Sequence, residues 1–211
     1  MATKLTLYNG ALRLIGERAI ASLTESRESR RVLDESYSPA MAYCLEQGQW
    51  NFAIRAIEAL PSTSIVPAFG YANAFTKPSD WIRTTALCSD EYFREPLLRY
   101  NDETGYWYAD DEIIYVRYVS NDPEYGMDLA RWPTSYTKYV ETYLAADVCE
   151  RLTQNATKVA QIRKDLKTAA TEAKSRDAMN DASVMFPEGS WARSRRGSYG
   201  GSRYDRSGWN A

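Results

Sequence analysis

Trp81-Ile-Arg-Thr-Thr-Ala-Leu-Cys88 and Ile113-Ile-Tyr-Val-Arg-Tyr-Val119 are the stretches on which the fold turns. Both are rich in β-branched and aromatic residues, and both read as strands. Pro96-Leu-Leu-Arg-Tyr100 and Gly105-Tyr-Trp-Tyr108 read as shorter strands between them, joined by the turn Asn101-Asp-Glu-Thr-Gly105. Asp110-Asp-Glu112 then turns into the last strand. The expectation is an antiparallel meander of about four strands. Upstream, Phe52-Ala-Ile-Arg-Ala-Ile-Glu-Ala-Leu60 fits a strand and a helix equally, and Pro61, Pro67 and Gly70 punctuate a loop.

On either side of this region the apolar period is helical. Leu5, Tyr8, Leu12 and Ile15 recur at three-to-four spacing, with Thr3 placed to cap and Gly16 to end the run. A second helical segment spans about Ser26 to Gln47, stopped by Gly48, with the stripe Leu33, Tyr37, Met41, Cys44, Leu45. Pro39 lies inside it, so a kink or local break is expected there. Beyond Pro133, Tyr136, Tyr139, Val140, Tyr143, Leu144, Val148 and Leu152 make one face; after a break at Asn155, Val159, Ile162, Leu166, Ala169, Ala170 and Ala173 make another, to about Asn180. The order is therefore α-α-β-β-β-β-α-α.

Absences remove whole classes of chemistry. The chain has no His, which excludes a Ser-His-Asp triad, a Cys-His pair and His-ligated zinc or haem. Its three Cys, at 44, 88 and 149, are too few for a Cys₄ zinc site and too scattered for a disulfide framework. A reducing compartment is expected, with Cys44 and Cys149 as small buried hydrophobes. No phosphate-cradling glycine loop and no calcium-loop spacing occurs, so neither a cofactor nor a metal is expected. No signal-peptide pattern or membrane-length apolar run is present, and a soluble protein made in a cytoplasm is the expectation.

Acidic pairs at Asp102/Glu103, Asp110/Asp111/Glu112 and Glu124/Asp128 could serve a glycosidase, which needs two carboxylates. They flank turns, where such residues solvate and cap the chain, and that reading is favoured.

The last stretch, 189–211, differs in kind. Five Arg against one Asp give it about +4, and the net charge of −2 leaves about −6 on the rest. It lacks aliphatic residues able to seed a core yet carries four large aromatics. Its composition is that of an arm that folds onto a partner. A nucleic-acid-binding module is the alternative, predicting salt-dependent affinity lost on removing 189–211.

Three blocks together resemble a known family. The first is Leu7-Tyr-Asn-Gly-Ala-Leu-Arg-Leu-Ile-Gly-Glu17 with Ala21-Ser-Leu-Thr-Glu25, Arg31-Val-Leu-Asp-Glu-Ser-Tyr37 and Cys44-Leu-Glu-Gln-Gly-Gln-Trp-Asn-Phe-Ala53. The second is Pro67-Ala-Phe-Gly-Tyr-Ala-Asn-Ala-Phe75 with Lys77-Pro-Ser-Asp-Trp-Ile-Arg83. The third is Arg117-Tyr-Val-Ser-Asn-Asp-Pro123, the Tyr-rich helix and Ser175-Arg-Asp-Ala-Met179. Their order and spacing resemble the head-to-tail adaptor family of tailed bacteriophages, called tail tubular protein A in short-tailed phages, over about residues 5 to 182. Pro39 and the chain beyond Pro187 lie outside the match.

The resemblance implies a structural virion protein at the head–tail junction, not an enzyme. Such adaptors form a dodecameric ring under the portal protein, with side-by-side helical bundles. Their C-terminal segment clasps the portal, and the β region points toward the tail nozzle (tail tubular protein B) or stopper. DNA passes through the channel without specific binding, for genome retention and ejection; no membrane is involved. A net-acidic body that repels phosphates suits that passage.

The expected fold is α+β, an antiparallel four-helix bundle of two helix pairs with an inserted antiparallel β meander and an extended C-terminal arm. The expected divisions are 1–50 and 131–183 for the helix pairs, 51–130 for the β insert and 184–211 for the arm. The expected portal contacts are Trp191, Arg193, Arg195, Arg196, Tyr199, Arg203, Tyr204, Arg206 and Trp209. Arginines would pair with portal acids and rings would fill pockets.

Overall fold

Thr3 opens the first helix: its hydroxyl accepts from the Thr6 amide, and the Thr6 hydroxyl accepts from the Thr3 amide in return. In the computed structural model, which describes residues 2–180, this helix is α1, Lys4–Ile15. Gly16 closes it with φ +75°, a conformation that glycine adopts without steric cost. The remaining helices are α2 (Glu28–Glu46), α3 (Thr134–Thr153) and α4 (Ala156–Ala178). The Asn155 side chain caps α4 by accepting from the Lys158 amide.

No break occurs at Pro39, because α2 runs through it as one helix. Pro39 denies the Glu35 carbonyl its helical partner, but both residues are exposed, where water can replace the bond. Gly48 has a role the sequence did not disclose. A Cβ there would lie 2.7 Å from the Trp50 indole, which folds back so that its N–H donates to the Cys44 carbonyl at the end of α2.

The four helices do not form a clear four-helix bundle, and this corrects the expected fold while leaving the α+β class. Helix α3 packs along α1, α2 and α4, whereas α1 meets α4 only lightly and α2 chiefly through long side chains. Length is one reason: at 1.5 Å per residue the 12 residues of α1 span about 18 Å and the 23 of α4 about 35 Å. Side chains link α1 to α2 instead. The Tyr8 hydroxyl donates to Asp34 at 2.7 Å, and Lys4 and Arg30 also pair with Asp34.

The single four-stranded meander is likewise corrected. Six strands make two three-stranded antiparallel sheets. The first has the order β1 (Ile54–Ala59), β6 (Ile114–Ser120), β3 (Trp81–Cys88). The second has the order β2 (Asn73–Thr76), β5 (Tyr106–Ala109), β4 (Asn101–Glu103). The ambiguous stretch after Phe52 is thus strand β1, and β2 lies in what read as loop. Residues 96–100, read as a strand, make only the isolated bridge of Pro96 to Cys88; the ladder falls on 101–103, read as a turn. Pro96 has no amide to donate, so its pairing with β3 stops at a single bridge, and the chain pairs next with β5 at Asn101–Glu103.

Two hydrophobic cores result. Trp50, Phe52, Trp132 and Tyr139 surround the Tyr136 ring in the helical core, with centroids 4.7–6.1 Å from it. Val119 carries β6 into this core. Phe75, Trp107, Val116 and Tyr118 form the core of the insert. Among the described residues no helix is long and apolar enough to cross a membrane.

Candidate functional site

The nine residues expected to contact the portal, Trp191 to Trp209, lie outside the described residues. Within them, four of the seven carboxylates singled out from the sequence, Asp102, Glu103, Asp110 and Asp128, hold structural partners. Asp102 pairs with Lys77 and accepts from the Thr84 hydroxyl; Glu103 accepts from Asn101. Asp110 accepts from the Ala72 amide, and Asp128 accepts from the Ala130 amide and pairs with Arg131. Among the described residues no group of three or more His, Cys, Asp or Glu is arranged to hold a metal ion. All three cysteines are buried, and burial pushes the Cys44 thiol up to about 12.

Two arrangements brace the insert. In the first, Asp80 accepts from Arg55 on β1 at 3.0 Å and from Tyr118 and Ser120 on β6. The Asp80 backbone carbonyl accepts from the Asn121 amide. Burial opposes ionisation of Asp80, but the hydrogen bonds from Ser120, Tyr118 and Arg55 outweigh it and hold the carboxyl below its ordinary range. The Lys77–Arg83 and Arg117–Pro123 blocks, 40 residues apart at Asp80 and Ser120, meet at this one carboxylate. In the second, the Lys77 ammonium sits 3.6 Å from the Trp81 ring centroid, and the Thr84 hydroxyl accepts from both the Trp81 and Trp107 indoles. This joins the two sheets. Neither arrangement was predicted; the only sequence signal was that Asp80 directly precedes, and Thr84 lies within, a strand of aromatic and β-branched residues.

The exposed surface of the insert is the stronger candidate. Strands β2 and β4 both pair antiparallel with β5, and Asn73 and Asn101 both lie opposite its C-terminal end. The chain entering β2, the chain entering β4 and the chain leaving β5 therefore gather at one end of this sheet. There Val66, Phe69 and Leu98 are 81%, 90% and 93% exposed. Val66, Phe69 and Tyr71 line a cleft of about 320 Å³ together with Asn101, Glu103 and Tyr108. Residues 59–76 carry no charge, and the sole run of three like charges in the chain, Asp110-Asp-Glu112, borders them. Seven of the eleven large apolar side chains exposed among the described residues belong to the insert, so they are concentrated rather than scattered.

Charge separates along the same line. Thirteen acids against six bases give residues 51–130 about −7, while the helical residues 2–50 and 131–180 carry about +3. All of that excess lies on α4, which has six bases and three acids. Compared with models of known protein families and with curated protein sequences, the chain gave no match.

Proposed function

We propose that this chain is a head-to-tail adaptor of a tailed bacteriophage, of the tail tubular protein A kind. Copies form a ring, on the family pattern a dodecamer, between the portal protein and the tail nozzle or stopper, and the ring extends the DNA channel. The proposal rests on the sequence blocks that resemble that family. The observation that carries it in three dimensions is the apolar end of the insert: Val66, Phe69 and Leu98 stand in water, as residues do that a partner covers. A ring needs two different contact patches on each copy, and a helical face and an insert of opposite charge suit that need.

In this reading the helices and the insert meet between neighbouring copies around the ring, surfaces of the insert left free by that contact face the next tail component, and the segment holding Trp191, Arg193, Arg195, Arg196, Tyr199, Arg203, Tyr204, Arg206 and Trp209 clasps the portal. Many weak arms held by one ring gain avidity together. The test is capture on immobilised cognate portal of the full chain and of a chain ending at Asn180. The reading expects capture of the first only, with the shorter chain retaining its helical circular dichroism. Equal capture of both would refute the assignment of the arm, and capture of neither would refute the adaptor.

A further inference from the structure

The apolar cleft at the end of the second sheet has a chemically matched surface on the same polypeptide. Helix α4 buries Val159, Ile162, Ala169 and Ala173. At 100° per residue, Arg163, Lys167 and Lys174 fall within about 40° of arc on another side of the helix, with Lys164 beside them. All four are exposed, and among the described residues they make a single ion pair, from Arg163 to Glu150 at 3.9 Å. The cleft offers the reverse: apolar walls at Val66 and Phe69 with Glu103 as the one charged residue of its lining, and beside it the acids 110–112, none of which has an ion-pair partner among the described residues.

From this complementarity we infer that the apolar cleft of one copy receives α4 of a second copy. Lysine and arginine stems lie along apolar surface while their heads stay at its rim, so Phe69 and Val66 can pack between stems whose charges reach Asp110, Asp111 and Glu112. Like surfaces repel: two inserts bring together about −7 each, and two α4 faces bring cations together. The contact is therefore head to tail, joining different patches on each copy, and such a contact propagates into a ring or an open chain rather than stopping at a dimer. It also withdraws the most basic helix among the described residues from DNA phosphates. The inference rests on the adaptor reading for its biological setting, but the contact itself follows from charge and exposure.

The test uses the full chain in sedimentation velocity at low and high salt. One variant reverses α4 (Arg163→Glu, Lys167→Glu, Lys174→Glu) and another reverses the rim (Asp110→Lys, Asp111→Lys, Glu112→Lys). The wild type is expected to self-associate at low salt, at least about tenfold more tightly than at 0.5 M, where charges are screened within a few ångströms. Each variant alone loses association, and an equimolar mixture regains it, because the reversed surfaces match one another. Circular dichroism of each variant checks folding, and recovery in the mixture excludes misfolding as the cause of loss. A monomeric wild type at low salt, a variant that associates normally, or a mixture that stays monomeric overturns the inference. Portal capture separates the two claims: loss of self-association with portal capture intact defeats only this contact.

Discussion

The helical part and the β insert use their large side chains in opposite ways. Around α3, Trp50, Trp132, Tyr136 and Tyr139 are packed ring against ring and closed from water. In the insert, Phe75, Trp107 and Tyr118 form a smaller core while Val66, Phe69, Tyr92 and Leu98 are left in solvent. The charge divides the same way, about +3 against about −7. A helical core that carries the fold leaves the insert free to hold a surface that would be costly to expose unless something covers it. The insert is then braced by polar knots at Asp80 and Thr84 rather than by depth of packing.

The sharpest way to break this contrast is to remove its helical anchor. Trp50→Ala deletes a fully buried ring that also caps α2, and should cost about 3–5 kcal/mol, read as a fall in the denaturation midpoint. A loss under about 1 kcal/mol would show that the helical core does not carry the fold.

Asp80→Asn comes next, with a loss of about 2 kcal/mol, since charged hydrogen bonds across β1 and β6 go together. The pH sign follows from the lowered carboxyl. The folded state favours ionised Asp80, so this contribution is present above the unfolded value near 3.9 and disappears as pH falls through the lower folded value. In Asp80→Asn that part of the acid destabilisation should vanish; an unchanged acid limb would contradict the role.

Gly126→Ala probes the joint between the two regions. An added Cβ would lie 2.1 Å from the Ser120 carbonyl, so backbone must move, at a cost of about 1–3 kcal/mol. The Trp132 indole, which donates to the Gly126 carbonyl at 2.8 Å, should report the shift by fluorescence. The smallest effect is expected at Phe69→Ser: stability unchanged within about 0.5 kcal/mol, with self-association lost. A large loss of stability there would show Phe69 to be part of a core.

Local signals made some elements legible from sequence alone. Thr3, Gly16 and Asn155 punctuate helices through bonds they make with near neighbours, and α1 and α4 begin or end where these residues stand. Pairing partners leave no such local trace. Residues 73–76 carry no strand pattern stronger than the loop around them, and their pairing with β5 is a long-range event. The same holds for Asp80, whose partners lie 25 to 40 residues away. Helix packing was misread for a related reason: four amphipathic helices predict contact but not which helix takes the centre, which α3 does. The arm was legible only as composition, and the apolar end of the insert was not read as a surface because Val66, Phe69 and Leu98 lie in two separate connections that only the pairing of β2 and β4 with β5 brings to one end.

Electron microscopy of the full chain mixed with its cognate portal tests the central claim most directly. The account predicts a ring of added density beneath the portal, with the insert end pointing away from it. Portal particles that gain no density at any ratio of the two proteins would contradict it.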